Sequence, residues 1–125
     1  MIPKFRAWLL EEREMHDVLA FDTRGHSFLG IEGTHVTVDA WCDYFEVGKQ
    51  AEIMQSTTLK DRVGFEIFIG DIGWDEYRET FGKVVFDKGK FSFEWENISE
   101  DLCEVVDTLE IRGNIYENPE LLEEK

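Results

Sequence analysis

The sequence predicts a mainly β protein, a small twisted barrel or sandwich that carries one short helix near its C-terminal end. Three observations lead there. Apolar and polar residues alternate through most of the chain, which is the period of half-buried strands. Breaks containing Gly, Asp and Asn recur between those runs. Only residues 97–109 show the three-to-four spacing of an amphipathic helix.

Taken in order, KFRAWLL (4–10) places Phe5, Ala7 and Leu9 on one face and Trp8 and Leu10 on the other. EERE (11–14) turns the chain and MHDVLAFD (15–22) returns, so an N-terminal hairpin is expected. TRGHSFLGIEGTH (23–35) reads as a loop. HVTVDAWCDYFEV (35–47) reads as one strand, with Val36, Val38, Ala40, Cys42 and Tyr44 opposed to Thr37, Asp39, Trp41, Asp43 and Phe45. GKQ then turns into the strand AEIMQSTTL (51–59), and KDRVG (60–64) is a tight turn before FEIFI. In GDIGWDEY (70–77), Gly70 and Gly73 suggest a bulge or a close backbone approach.

GKVVFDKGKFSFEW (82–95) is a hairpin around Asp87-Lys88-Gly89. NISEDLCEVVDTL (97–109) is the expected helix. Asn97 or Ser99 can cap it, Glu100 and Asp101 suit its positive end, and Leu102, Val105, Val106 and Leu109 share a face. LEIRGNIYEN returns to strand until Asn118-Pro119 stops it.

A chain of 125 residues suits one domain, 1–125, and 42% hydrophobic content can fill one core. Acids outnumber bases 28 to 13. The imbalance is steepest in residues 94–125, which hold 11 acids and 2 bases. Such a surface repels phosphates, which argues against nucleic-acid binding. FSFEWEN points the same way, because it interleaves aromatics with Glu rather than with Lys or Arg. No apolar run approaches the roughly 20 residues of a membrane span. Lys4 and Arg6 interrupt the first apolar stretch, so no secretory signal is read and a cytoplasmic location is expected. Cys42 and Cys103 lack metal-type spacing and are expected to be reduced, buried and inert.

Chemistry-bearing patterns are sparse. His16, His26 and His35 have no i,i+4 pairing and no Cys at zinc-site spacing, so no metal or cofactor is expected. Cys42 with a histidine base is a combination most chains contain by chance. The acids Asp71, Asp75 and Glu76 could hold Mg²⁺ in a metal-dependent hydrolase, which is the alternative to a non-enzyme. Phosphate-cradling, GxSxG and dinucleotide motifs are absent from the sequence. Lys60, Asp61 and Asp71 could form a polar ligand or partner surface, although turn chemistry accounts for each of them. At the end of the chain, Leu121 and Leu122 can fold back as a plug after the Asn118-Pro119 turn. Alternatively, Tyr116, Pro119, Leu121 and Leu122 form a subunit contact.

The order FRAW (5–8), MHDV (15–18), QSTTLKDRVGFEIFIGDI (55–72), GKVVFDKGKF (82–91) and GNIYENPELL (113–122) resembles the YopX family, small proteins encoded largely by bacteriophages and prophages. The resemblance covers nearly the whole chain and is weakest across 23–50. It implies a domain related to SH3-like barrels with added helical elements, a capacity to form oligomers, and no particular reaction. Two positions depart from the family pattern. Thr58 stands where a Thr-Gly-Leu step usually has Gly, and Val63 replaces a polar turn residue. The expectation is therefore a noncatalytic protein-binding or assembly module, a soluble homo-oligomer in the bacterial host cytoplasm. An acidic decoy for a DNA-binding host protein is a variant of that reading.

Overall fold

The computed structural model describes residues 4–25, 30–39 and 44–123. The chain divides into two compact units, Met1–Gln55 and Ser56–Lys125. The named strands pair antiparallel throughout and form two sheets.

The first unit contains β1 (Phe5–Leu9), β2 (Glu14–Asp22), β3 (His35–Val38), β4 (Tyr44–Glu46) and the first half of β5 (Ala51–Lys60). The expected N-terminal hairpin is present, and β1 lies between β2 and β5, with Ala7 opposite both His16 and Ile53. Ala7, Leu9, Val36, Val38, Phe45 and Ala51 make its buried cluster.

Residues 35–47 do not form the single strand expected. The chain turns at Asp39, whose N–H donates to the Asp17 carbonyl at 3.1 Å, and β3 pairs with β4 so that Val36 faces Phe45. The reversal changes the parity of the alternation. Val36 and Phe45, assigned to opposite faces of one strand, meet in one core. Ala40, Trp41, Cys42 and Asp43 lie outside the described residues, as does His26.

The second unit holds the rest of β5, then β6 (Glu66–Phe68), β7 (Asp71–Asp75), β8 (Thr80–Asp87), β9 (Lys90–Trp95), β10 (Ile98–Asp101) and β11 (Leu109–Asn114). Its five-stranded sheet has the order β10-β9-β8-β7-β11. The other sheet runs β4-β3-β2-β1-β5-β6. Both ladders end in edge strands and neither closes on itself among the described residues, so the expected small barrel gives way to two open sheets. The edge strand β10 is only four residues long and ends in Glu100 and Asp101, a form that discourages further strand pairing.

The expected hairpin around Asp87-Lys88-Gly89 is present: Asp87 pairs with Lys90, and Lys88 (φ 54°) and Gly89 (φ 80°) make a two-residue turn with both φ values positive. The expected helix is largely replaced. Trp95 pairs with Ile98 around Glu96, which commits 98–101 to β10. Only Leu102–Glu104 is helical, and as a 3-10 turn. From there the chain advances by successive three-residue turns, with N–H donation from Val105 to Leu102, Thr108 to Val105 and Leu109 to Val106. The apolar spacing survives this change. Leu102, Val105 and Leu109 still reach the core, with Ile67, Val84 and Phe93.

Gly73 marks a close backbone approach of the kind expected, and Gly82 on β8 marks a second that sequence reasoning did not single out. A side chain at position 82 would lie 2.7 Å from the Glu94 carbonyl and overlap the Phe93 ring, and one at 73 would strike Leu109. Cys103 is exposed, not buried as expected, because it points away from the face carrying Leu102 and Val105. No helix among the described residues is long and apolar enough to cross a membrane.

Candidate functional site

The turn from β7 to β8 is organised by Asp75, which is fully buried. Its Oδ1 accepts the N–H groups of Tyr77 (2.9 Å) and Arg78 (3.2 Å), and its Oδ2 pairs with Arg78 Nη1 at 3.0 Å. Arg78 Nη2 donates to Glu100 Oε1 on β10 at 2.7 Å. The same guanidinium lies 5.2 Å from the Trp95 ring centroid and 5.5 Å from that of Tyr77. Burial acts to lower the Arg78 pKa, but the bonds to Asp75 and Glu100 prevail and raise it. This side chain is thus a fixed cation, held by two carboxylates and two aromatic rings.

Around it opens a cleft of about 430 Å³, walled by Trp74, Phe81, Trp95, Leu121 and Leu122. Trp74 and Phe81 meet edge to face with centroids 4.9 Å apart. Glu79 and Glu96 also line the cleft, both exposed and both in the left-handed backbone region, at φ 55° and 51°. Among the described residues, no hydrogen bond or ion pair engages either carboxylate.

The two leucines arrive through a knot of asparagines. Asn114, buried at the end of β11, accepts the N–H groups of Tyr116 and Glu117 on Oδ1, both at 2.9 Å. Asn118 Oδ1 accepts the Asn114 N–H at 3.3 Å, and its carboxamide fills the space that a side chain on Gly113 would need. Pro119–Leu122 then forms a 3-10 turn that contacts β8. Of the residues expected at a subunit contact, Leu121, Leu122 and Tyr116 are half-buried and Pro119 is exposed. In this chain the two leucines line its own cleft.

The candidate ligand surface of Lys60, Asp61 and Asp71 is distributed differently. Lys60 is exposed, whereas Asp61 and Asp71 are buried. Asp61 Oδ1 accepts the N–H groups of Val63 (3.1 Å) and Phe65 (2.8 Å), and its Oδ2 accepts that of Ile111 (2.8 Å). Asp71 Oδ2 accepts the Phe68 N–H at 2.7 Å. Both carboxylates are directed at backbone inside the unit. Nor do Asp71, Asp75 and Glu76 gather as a metal cage: among the described residues no three His, Cys, Asp or Glu side chains do. Glu76 is exposed and reaches Arg62 at 3.9 Å.

The departure at position 58 falls at a structurally demanding place. Thr58 has φ 67°, inside the register shift between Ser56 and Lys60 on β5. Its N–H donates to Ser56 Oγ at 3.0 Å, and Thr57 Oγ1 donates to the Ile67 carbonyl at 2.7 Å. A β-branched residue there is strained, and a glycine would not be. Val63 sits half-exposed in the adjoining turn.

Sequence reasoning missed the cleft. Its signal lay in WDEYRETF (74–81), three aromatics and a single base within eight residues, but Trp95 and Glu96 come from a hairpin the period alone assigns to packing.

Fold and cleft together define a two-unit antiparallel β protein with an aromatic, acid-rimmed recess in its second unit. The chain belongs to the YopX family, whose model, described as YopX protein, matches residues 4–123. Among solved structures, it is similar to protein EF1440 from Enterococcus faecalis, at 28% identity and a TM-score of 0.68, covering 98% of this chain and 99% of that one. It also shares the fold of protein yopX from Bacillus subtilis, at 22% identity and a TM-score of 0.64, with 96% and 98% covered. None of the curated proteins compared matches the chain.

Proposed function

We propose that this protein is a noncatalytic binding or assembly module that meets a basic protein partner through its second unit, in the cytoplasm of a phage- or prophage-carrying bacterium. The observation that carries this reading is the uneven charge. Residues 56–125 hold 18 acids and 8 bases, against 10 and 5 in residues 1–55, and the excess is concentrated in residues 94–125, with 11 acids and 2 bases. Of those 18, Asp61, Asp71 and Asp75 are buried and bonded to backbone, and the exposed remainder includes Glu104, Asp107, Glu120 and Glu123. A surface with an excess of one sign speeds encounter with an oppositely charged partner and rejects like-charged ones. A DNA-binding host protein is one such partner, and a decoy would then compete with duplex DNA for it.

The test is calorimetric binding to protamine, an arginine-rich protein, at low and raised salt. Neutralising Glu104, Asp107, Glu120 and Glu123 to their amides is expected to weaken binding several-fold. Neutralising Glu11, Glu12, Asp17 and Glu32 of the first unit should leave it nearly unchanged. Equal losses from the two sets would reduce the interaction to bulk charge and end this reading.

A second reading is self-assembly by exchange of the tail, favoured by the leucine turn that packs against β8 beyond the Asn118-Pro119 bend. Light scattering on the full chain and on one ending at Asn118 decides it: an oligomer reduced to a folded monomer by the truncation supports exchange, and two monomers exclude it.

A further inference from the structure

Building on the basic-partner reading, we infer that the cleft of the second unit receives one arginine side chain of that partner, packed against the indoles of Trp74 and Trp95 with its charge met by Glu79 and Glu96. The volume of about 430 Å³ lies in the range of sites that enclose small groups, roughly 300–1,000 Å³. Trp74, Phe81 and Trp95 form part of its walls, and aromatic faces attract cations. Arg78 already shows how the recess treats a guanidinium, with a ring 5.2 Å away and a carboxylate on each side.

Arg78 is itself matched by Asp75 and Glu100. Glu79 and Glu96 therefore remain as two further negative charges on the same recess. An anionic guest would be repelled by them. An apolar guest would strip water from carboxylates and offer nothing in return. A guanidinium satisfies both features, because its plane stacks on a ring while its N–H fork reaches carboxylates, which a lysine ammonium does less well.

The test uses the full chain and three blocked tripeptides, Gly-Arg-Gly, Gly-Lys-Gly and Gly-citrulline-Gly, followed by amide and indole NMR shifts. Citrulline keeps the shape of arginine and lacks its charge. The expected order is arginine, then lysine, with citrulline weaker than arginine by about tenfold or more. The expected shifts centre on the Trp74 and Trp95 indoles and the amides of 78–80 and 96. Glu79→Gly and Glu96→Gly serve as controls for folding, because glycine relaxes the positive φ at both positions. Each should raise the melting temperature while weakening the arginine peptide several-fold.

Equal binding of citrulline and arginine would overturn the inference, as would shifts spread over the acidic surface that spare both indoles. If the indoles stay silent while protamine still requires the exposed acids of the second unit, the cleft inference fails and the basic-partner reading stands. Loss of both signals removes both.

Discussion

The two units are each built from antiparallel strands around six buried apolar residues, yet they use acidic side chains in different ways. In the first unit the polar ties described lie near the surface. His16 is held between Glu14 (2.9 Å) and Asp39 (3.0 Å), and Arg24 grips Asp22, holding that carboxyl down at about 2. Glu46 is buried but its carboxylate meets Lys49 at 3.7 Å. The second unit takes Asp61, Asp71 and Asp75 out of water and aims them at backbone N–H groups. Such groups are costly to bury unless satisfied, and once satisfied they are costly to remove. The lesson is that an acidic composition is not one property. Some carboxylates organise turns, and the others are left to face solvent or a partner.

The contrast predicts where removal of an acid does most harm. Asp75→Ala strands two turn amides and leaves Arg78 with Glu100 as its one ion-pair partner, so a loss of about 3–5 kcal/mol is expected. Urea unfolding should register it, and hydrogen exchange should show the greatest loss of protection within residues 56–123. Equal loss in the first unit would mean that the two are energetically inseparable. Thr58→Gly sharpens the contrast from the opposite direction. It relieves a left-handed β-branched residue and should raise stability by about 1 kcal/mol, read as a higher urea midpoint.

The smallest effect belongs to the first unit. The hydrogen bond to Glu14, helped by Asp39, raises the His16 pKa above its ordinary 6.5 despite some burial. A raised folded-state pKa means protonation favours the fold. The contribution is complete below the unfolded value near 6.5 and disappears as pH rises through the folded value. His16→Gln should therefore destabilise the protein under mildly acidic conditions and become nearly neutral above that window. A pH-independent difference would assign His16 a packing role only.

Much of the β framework was legible in the sequence because it depends on neighbours. The hairpin at Asp87-Lys88-Gly89 needs only a flexible turn between two apolar runs. The spacing of Leu102, Val105 and Leu109 announces a common buried face, although three-residue turns and an α-helix both supply it, so that period alone could not choose between them. The strand reversal at Asp39 escaped for a related reason: alternation counts residues and does not register a change of direction.

What the sequence by itself determined was therefore local: the strand periods, the hairpin turns, the acidity and the turn at Asn118-Pro119. The strand before that turn, β11, ends earlier than expected, at Asn114, where the asparagine side chain takes the N–H groups of Tyr116 and Glu117 into a turn. Tertiary structure alone decided which carboxylates would be buried. Asp61 is held partly by the N–H of Ile111, 50 residues further along the chain, while Glu79 and Glu96 on their turns meet no comparable donor among the described residues. It also decided that Leu121 and Leu122 would line a recess with Trp74, Phe81 and Trp95. A local pattern sets the path of the backbone, but desolvation and pairing depend on what distant segments bring to the same place.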